Sequence, residues 1–108
     1  MIIKRKFYIN GAWVAPQAAR DCDVIDPSTE EVCAIISLGS PGDTNAAVAA
    51  AKAALPGWAA TPPAMRRAVV VRILDQYALR VEEFAQAISM EMGAPIDMAR
   101  DSHAPCLP

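Results

Sequence analysis

The 108-residue sequence has little of what several large classes of protein require. Charged residues make up 20% of it and the formal net charge is −2, so the basic excess of nucleic-acid and membrane-surface binders is missing. The longest apolar runs stop at Lys52 and Arg72, whereas a membrane span needs about 20 apolar residues. No apolar segment follows the basic residues near the start, so we expect no secretory signal. We predict neither a nucleic-acid nor a membrane partner.

Cysteine and histidine are also scarce. The three cysteines are an odd number without a Cys-x-x-Cys pair, which argues against a disulfide framework or a zinc cage and favours a reducing cytoplasm. Cys22 and Cys33 lie in apolar stretches beside acidic residues, which favours small buried thiols over reactive thiolates. His103 precedes Cys106 by three residues, but Pro105 lies between them and Pro108 follows. We therefore favour a solvated loop histidine over a Cys–His dyad or a two-ligand metal site.

The five glycines are scattered along the chain. The sequence has no Gly-x-Gly-x-x-Gly after a strand and no glycine-rich loop ending in Gly-Lys-Ser/Thr, which are the loops that bind nucleotide phosphates. We interpret the glycines as turn and cap residues. The residues themselves therefore predict no catalytic, cofactor-binding or metal site.

The first third of the chain has the pattern of β-hairpins. Asn10-Gly11, between the apolar stretches 7–9 and 12–14, is typical of a type I′ turn, in which both central residues need positive φ. Residues 21–25 and 32–38 are rich in β-branched side chains and predict two further strands. The segment between them contains Asp and Pro, as turns do.

Helical patterns follow. Asp43 is the predicted N-cap of a first helix, which Pro56-Gly57 should end before Trp58. Thr61 is the predicted cap of a second helix, with Pro62 at its first position. Apolar residues then recur every four positions, and a break is predicted at residues 79–82 because 30 helical residues exceed a typical length.

The later helical stretch should end at Gly93, which suits a C-terminal cap. Pro95 can begin another helix over residues 96–102. We thus predict an α+β chain, with β-hairpins over residues 1–39 and helices over residues 40–108.

The arginines and the methionines of the predicted helices can each be interpreted as ligand-binding residues or as structural residues. Arginines on the second helical stretch could form a patch for an anionic ligand, but we favour a solvated helix face whose side-chain stems cover apolar surface. The later methionines could form an adaptable binding groove, but their helical spacing favours core positions. The residues concerned are Arg66, Arg67, Arg72, Arg80, Met90, Met92 and Met98. The acidic residues Glu82, Glu83 and Glu91 have the pattern of helix-surface charge.

Several motifs, taken in order, resemble those of a known family. Residues 7–14 and 24–32 look like the first and second hairpins of the NAD(P)-dependent aldehyde dehydrogenases. The helical matches are Asp43, Ala47-Val48, Ala50-Ala51, Ala54 and Trp58, then Arg66 with Ile73-Leu74, Glu83-Phe84-Ala85, and Glu91-Met92-Gly93-Ala94-Pro95. Each motif is weak alone, but the resemblance covers about residues 7–100 in the right order.

The resemblance implies that residues 1–108 are the N-terminal portion of the α/β, Rossmann-like cofactor-binding domain, with the catalytic and oligomerisation domains absent. Complete family members oxidise an aldehyde to a carboxylic acid with NAD or NADP. A Cys thiolate forms a thiohemiacetal, hydride passes to the nicotinamide, and a Glu-activated water hydrolyses the thioester. Those residues and the dinucleotide site lie downstream of the matched region, so no catalytic, cofactor-binding or metal residue is carried over.

Two positions depart from the family pattern. Many members have Gly where Glu30 stands, and if this turn needs positive φ, Glu adds strain of about 1 kcal/mol or more. Some members bind a structural monovalent cation through carbonyls equivalent to those of Val24 and Ile25, plus an Asp. That acidic position falls near His103, two residues from Asp101, so the cation site stays unassigned.

We expect this chain to be part of a complete cytoplasmic dehydrogenase and to be inactive, without cofactor, on its own. The aldehyde substrate would bind only to the complete enzyme. The alternative is a truncated, non-catalytic module of the same ancestry that acts through protein–protein association. Either way we expect a homo-oligomer or association through an exposed apolar face. An unrelated helical adaptor explains the amphipathic stretches but not the ordered hairpins.

Overall fold

The computed structural model of the chain describes residues 1–103. Five strands precede the helices along the chain: β1 (Ile2–Lys4), β2 (Phe7–Ile9), β3 (Ala12–Val14), β4 (Asp21–Asp26) and β5 (Glu31–Ser37). The helical elements are α1 (Pro41–Ala60), α2 (Pro63–Ala78), α3 (Val81–Met92), the single turn α4 (Ile96–Met98), and a π-helical segment over Ala99–His103. This order is the predicted α+β class.

The chain divides into two compact units. The first consists of residues 1–24 and 34–62, and the second of residues 25–33 with the chain from residue 63 onward. The division therefore falls within β4 and β5, so that the turn between these strands belongs with the later helices.

In the first unit, β2 and β3 form the predicted antiparallel hairpin. Phe7 pairs with Val14, and Tyr8 with Trp13, whose rings lie 5.2 Å apart between centroids. Asn10 and Gly11 have φ values of 52° and 76°, as a type I′ turn requires.

A second sheet has the strand order β1-β5-β4. Strand β1 pairs in parallel with β5, with Ile3 opposite Ile35. The prediction that residues 1–39 consist of hairpins is therefore wrong at the start of the chain. A strand that pairs in parallel is distant in sequence from its partner, so no turn motif in the sequence indicates the pairing.

Helix α1 begins three residues earlier than a helix capped by Asp43 would. Its N-cap is Ser40, and Asp43 is the third helical residue of a capping box. The helix also continues through Pro56 to Ala60, so the predicted end at Pro56-Gly57 is wrong. The φ of proline is compatible with a helix, and the carbonyl of Lys52, which loses its N–H partner, belongs to an exposed residue that water can reach.

Thr61 closes α1 instead of opening α2. Its N–H donates to the Trp58 carbonyl at 3.1 Å and its hydroxyl to the Gly57 carbonyl at 2.9 Å. Helix α2 begins at Pro63 and not at Pro62, because a residue that precedes a proline is disfavoured in the α conformation.

In the second unit, the predicted break separates α2 from α3 at residues 79–80. Gly93 has φ 75° and ends α3 with a hydrogen bond from its N–H to the Ser89 carbonyl, as predicted. A small core forms from Ala85, Ala94 and Ala99, against which Val81, Ile88 and Ile96 pack.

Candidate functional site

The cysteine and histidine side chains considered as nucleophiles or metal ligands do not come together in the described part of the chain. Cys22 and Cys33 are partly buried thiols on β4 and β5, and neither forms a disulfide. Cys106 lies outside the described residues, so its relation to His103 is not part of the structure. Among residues 1–103 no group of three His, Cys, Asp or Glu side chains is placed to hold a metal ion.

A dinucleotide site would need free backbone N–H groups where a strand leads into a helix. The described junction with glycines on both sides of the helix start is β5 to α1, around Ser40. The Ser40 N–H at this junction already donates to a carboxylate, and the Asp43 N–H donates to the Ser40 hydroxyl. Asp43 accepts hydrogen bonds from the Ser40 N–H at 2.8 Å, the Ser40 hydroxyl at 2.6 Å and the Gln17 N–H at 2.9 Å. This junction therefore does not fit a pyrophosphate, and no reaction step can be derived through a cofactor from these residues.

The Asp43 carboxylate instead acts as a structural centre. It is 5% exposed, yet its pKa lies below the ordinary value because the Ser40 hydroxyl, the Ser40 N–H and the Gln17 N–H all donate to it, which outweighs burial. Its hydrogen bond from the Gln17 N–H links the loop after β3 to the start of α1.

A basic pocket lies at the start of the first unit, lined by Ile3, Lys4, Arg5, Lys6 and Trp13. Arg5 donates two hydrogen bonds to the carboxylate of Asp21, at 2.9 and 2.7 Å. These bonds raise the pKa of Arg5 and lower the pKa of Asp21. Trp13 is 64% exposed. The pocket presents cations beside an aromatic ring, but no described group there is arranged for catalysis.

A charged network in the second unit was not predicted. Arg100 donates to both carboxylate oxygens of Glu82, at 2.9 and 2.8 Å, and to Asp97 at 3.4 Å. Gln86 also donates to Glu82, at 3.0 Å. The bond from Arg100, followed by that from Gln86, lowers the pKa of Glu82 to about 2. Glu82 and Arg100 are 18 residues apart, so no local spacing signals the pair.

The arginines of α2 are placed as a solvated helix face would place them. Arg67 and Arg72 are exposed, and Arg66 is half-buried. Arg80, just beyond α2, forms an exposed ion pair with Glu83 at 3.3 Å. The described residues do not gather these guanidinium groups into a pocket.

The methionines do not form the core that their spacing favoured. Met92 and Met98 are 58% and 51% exposed, and Met90 is only partly buried. The core of the second unit consists instead of three alanines, against which Val81, Ile88 and Ile96 pack.

The main unexplained feature is apolar surface on the helices. Helix α2 has no buried residue. Met65 and Ile73 on α2 are each 60% exposed, and Leu55 and Trp58 on α1 are 59% and 43% exposed. Water-exposed apolar surface of this extent marks an interaction surface. No described helix is long and apolar enough to cross a membrane.

Comparison with known proteins shows what these features belong to. The model of the aldehyde dehydrogenase family matches residues 13–107. A curated relative, 3-succinoylsemialdehyde-pyridine dehydrogenase from a Pseudomonas species, is 40% identical over 92 residues, which are 85% of this chain and 19% of that protein. The chain belongs to the aldehyde dehydrogenase family.

Solved structures agree with the fold. The aldehyde dehydrogenase of Bartonella henselae superposes with a TM-score of 0.94 at 53% identity, over 96% of this chain and 22% of that one. Aldehyde dehydrogenase C of Pseudomonas syringae, in a complex with NAD+ and octanal, gives a TM-score of 0.91 at 48% identity, over 94% and 21%. The chain thus spans about a fifth of the length of these relatives, and its α+β structure is part of the aldehyde dehydrogenase fold.

Proposed function

We propose that this chain is the N-terminal portion of the cofactor-binding domain of an NAD(P)-dependent aldehyde dehydrogenase, which oxidises an aldehyde to a carboxylic acid through a Cys thioester. The observation that carries the proposal is the family match over residues 13–107 in a chain spanning about a fifth of its relatives. Relatives bound to NAD support NAD(P) as the cofactor of the complete enzyme.

The contribution of these residues is positional. They supply neither the nucleophile nor the dinucleotide site. The capping centre at Asp43 and the Glu82–Arg100 pair fix the helices and loops onto which the rest of a cofactor-binding domain would fold. Such support matters because reacting groups must be held within about 0.5 Å of the productive geometry. The aldehyde and any homo-oligomer belong to the complete enzyme, which we place in the cytoplasm because the sequence has an odd number of cysteines and no disulfide framework.

A replacement experiment tests this function. The 108 residues would be grafted in place of the matching N-terminal region of the Bartonella henselae enzyme, giving a full-length chimera. We expect the chimera to reduce NAD or NADP in the presence of an aldehyde that the parent enzyme oxidises. The 108-residue chain alone should reduce neither cofactor. Aldehyde-dependent NAD(P)H formation by the pure 108-residue chain would refute the proposal, as would a folded but inactive chimera.

A further inference from the structure

The basic pocket of the first unit has the size and shape of a small-molecule site. Its volume is about 350 Å³, near the lower end of the range of about 300–1,000 Å³ that ligand pockets occupy. Its walls are formed by Ile3, the three consecutive basic residues at positions 4–6, and Trp13 of β3. All of these residues belong to the same compact unit. The pocket therefore lies wholly within that unit.

The charge lining this pocket is positive, although the chain as a whole is slightly acidic. Three of the ten Lys and Arg residues line it, in a chain whose formal net charge is −2. Asp21 neutralises the charge of Arg5 through the two hydrogen bonds described above. Within the described residues, the side chains of Lys4 and Lys6 form no ion pair. Two ammonium groups are therefore available to an anion.

Contacts behind the pocket hold its walls in place. The two hydrogen bonds between Arg5 and Asp21 link the segment between β1 and β2 to β4, and β1 itself pairs with β5. The ring of Tyr8 packs against that of Trp13, with the two planes inclined by 58°. Because these walls form without a ligand, a ligand would lose little binding energy to the ordering of the site.

Trp13 supplies a surface for a flat ring. Its side chain is 64% exposed, although tryptophan is highly buried on average in folded proteins. Aromatic rings pack against indole in offset or edge-to-face geometry, and Ile3 adds an apolar wall beside it. An uncharged ring would leave the two lysines unpaired, and an anion without a ring would leave the indole in water. A ligand that has both a ring and negative charge uses the whole pocket.

We propose that this pocket is a binding site for a small planar aromatic anion, whose ring lies against Trp13 and whose carboxylate or phosphate groups contact Lys4 and Lys6. Two sources share this chemistry, namely aromatic carboxylates and nucleoside monophosphates. The site is separate from aldehyde oxidation, because no described group in the pocket is arranged for catalysis. The inference therefore does not rest on the proposed function.

Isothermal titration calorimetry of the 108-residue chain tests the site with matched probes. Isophthalate has a ring and two carboxylates, glutarate has two carboxylates without the ring, and isophthalamide has the ring without the charge. We expect isophthalate to bind at least about tenfold more tightly than either control, since it alone uses the indole and both ammonium groups.

AMP, with ribose phosphate as its control without the base, forms the second arm of the titration. Tighter binding of isophthalate or of AMP identifies which source the pocket prefers. The proposal is overturned if neither aromatic anion binds. It is also overturned if the controls without a ring bind as tightly as their aromatic counterparts, since charge alone would then explain the binding.

Substitutions locate the binding on the surface. Lys4→Gln and Lys6→Gln should each weaken binding about threefold, as expected for an exposed ion pair, and Trp13→Leu about tenfold, as expected for a lost stacking partner. Lys52→Gln and Trp58→Leu change the same residue types on α1 and should leave binding unchanged. If Trp13→Leu fails to fold, Trp13→Phe replaces it and should bind more tightly than either lysine variant predicts for a lost contact. Equal losses in the pocket and control variants would overturn the proposal.

The same titration of the full-length chimera, saturated with its dinucleotide cofactor, separates this pocket from the sites of the dehydrogenase. Isophthalate should bind the chimera, and the three pocket substitutions should weaken that binding as they do in the chain alone. A chimera that binds isophthalate in this way but does not oxidise aldehyde would refute the proposed function and leave the pocket standing. An active chimera whose affinity for isophthalate is unchanged by the pocket substitutions would overturn the pocket and leave the proposed function standing.

Discussion

Replacing Gly93 with alanine should destabilise the second unit for two separable reasons. Gly93 has φ 75°, and a side chain in this left-handed region costs about 1–2 kcal/mol. A Cβ on Gly93 would also lie 2.8 Å from the Cγ of Pro27, in the turn between β4 and β5. That distance is too short for two carbon atoms, so the turn must shift. We expect a total loss of about 2–3 kcal/mol, the conformational part plus partial overpacking.

Gly57 provides a matched control because it lies inside α1 with ordinary helical geometry and open space around the site of a Cβ. Gly57→Ala should raise the free energy of unfolding by about 0.5–1 kcal/mol, the usual difference between the two residues in a helix. The assay is urea unfolding of each variant followed by circular dichroism. The two substitutions, identical in chemistry, should move the unfolding midpoint in opposite directions.

The double variant Pro27→Ala, Gly93→Ala separates the two causes at Gly93. Removing the proline ring should recover the contact part of the loss and leave the conformational part of about 1–2 kcal/mol. The reasoning is refuted if Gly93→Ala is neutral, or if Gly57→Ala destabilises as much as Gly93→Ala.

Three further predictions concern a turn, a cap and an ion pair. Glu30 has φ 61°, so Glu30→Gly should stabilise the chain by about 1 kcal/mol; urea unfolding would show no gain if the turn were unstrained. Ser40→Ala removes the N-cap hydroxyl of α1 and should lower the free energy of unfolding by about 1 kcal/mol, whereas an unchanged midpoint would argue against the capping box. Because the pKa of Glu82 falls from 4.5 to about 2 on folding, its contribution is complete above about pH 4.5 and lost as the pH falls towards 2. Wild type and Glu82→Gln should therefore differ in stability at neutral pH and converge near pH 2; a constant difference would contradict the ion pair with Arg100.

Local chemistry explains which parts of the fold were predictable. Asn10-Gly11 determines its own turn through two positive φ values, so the first hairpin was predicted correctly. Gly93 ends α3 for a similarly local reason. The positive φ of Glu30 was expected only from the resemblance, since a glutamate gives no such signal by itself.

The errors arose where neighbours in space override local preference. Strand β1 forms because its distant partner β5 is available. Pro56 stays inside α1, although proline usually ends helices, because the rest of a 20-residue helix outweighs one lost hydrogen bond. The Ser40–Asp43 capping box was visible as a Ser-x-x-Asp spacing, but Asp43 was assigned the wrong position in it.

The candidate site was predictable only in outline. An exposed apolar face was expected from the resemblance, and α2 supplies one. Its location on α2 depends on which residues the neighbouring elements leave uncovered, and the sequence pattern alone does not define these. The pairing of Glu82 with Arg100 likewise depends on the path of the chain after Gly93.

The central claim is that these residues are one part of a longer aldehyde dehydrogenase polypeptide. The intact mass of the polypeptide purified from its native source tests this claim most directly. Since the chain covers 22% and 21% of two solved relatives, the account predicts a mass roughly four to five times the 11.5 kDa of this chain. A native mass of 11.5 kDa would contradict it and would instead support the truncated, non-catalytic module that acts by protein–protein association.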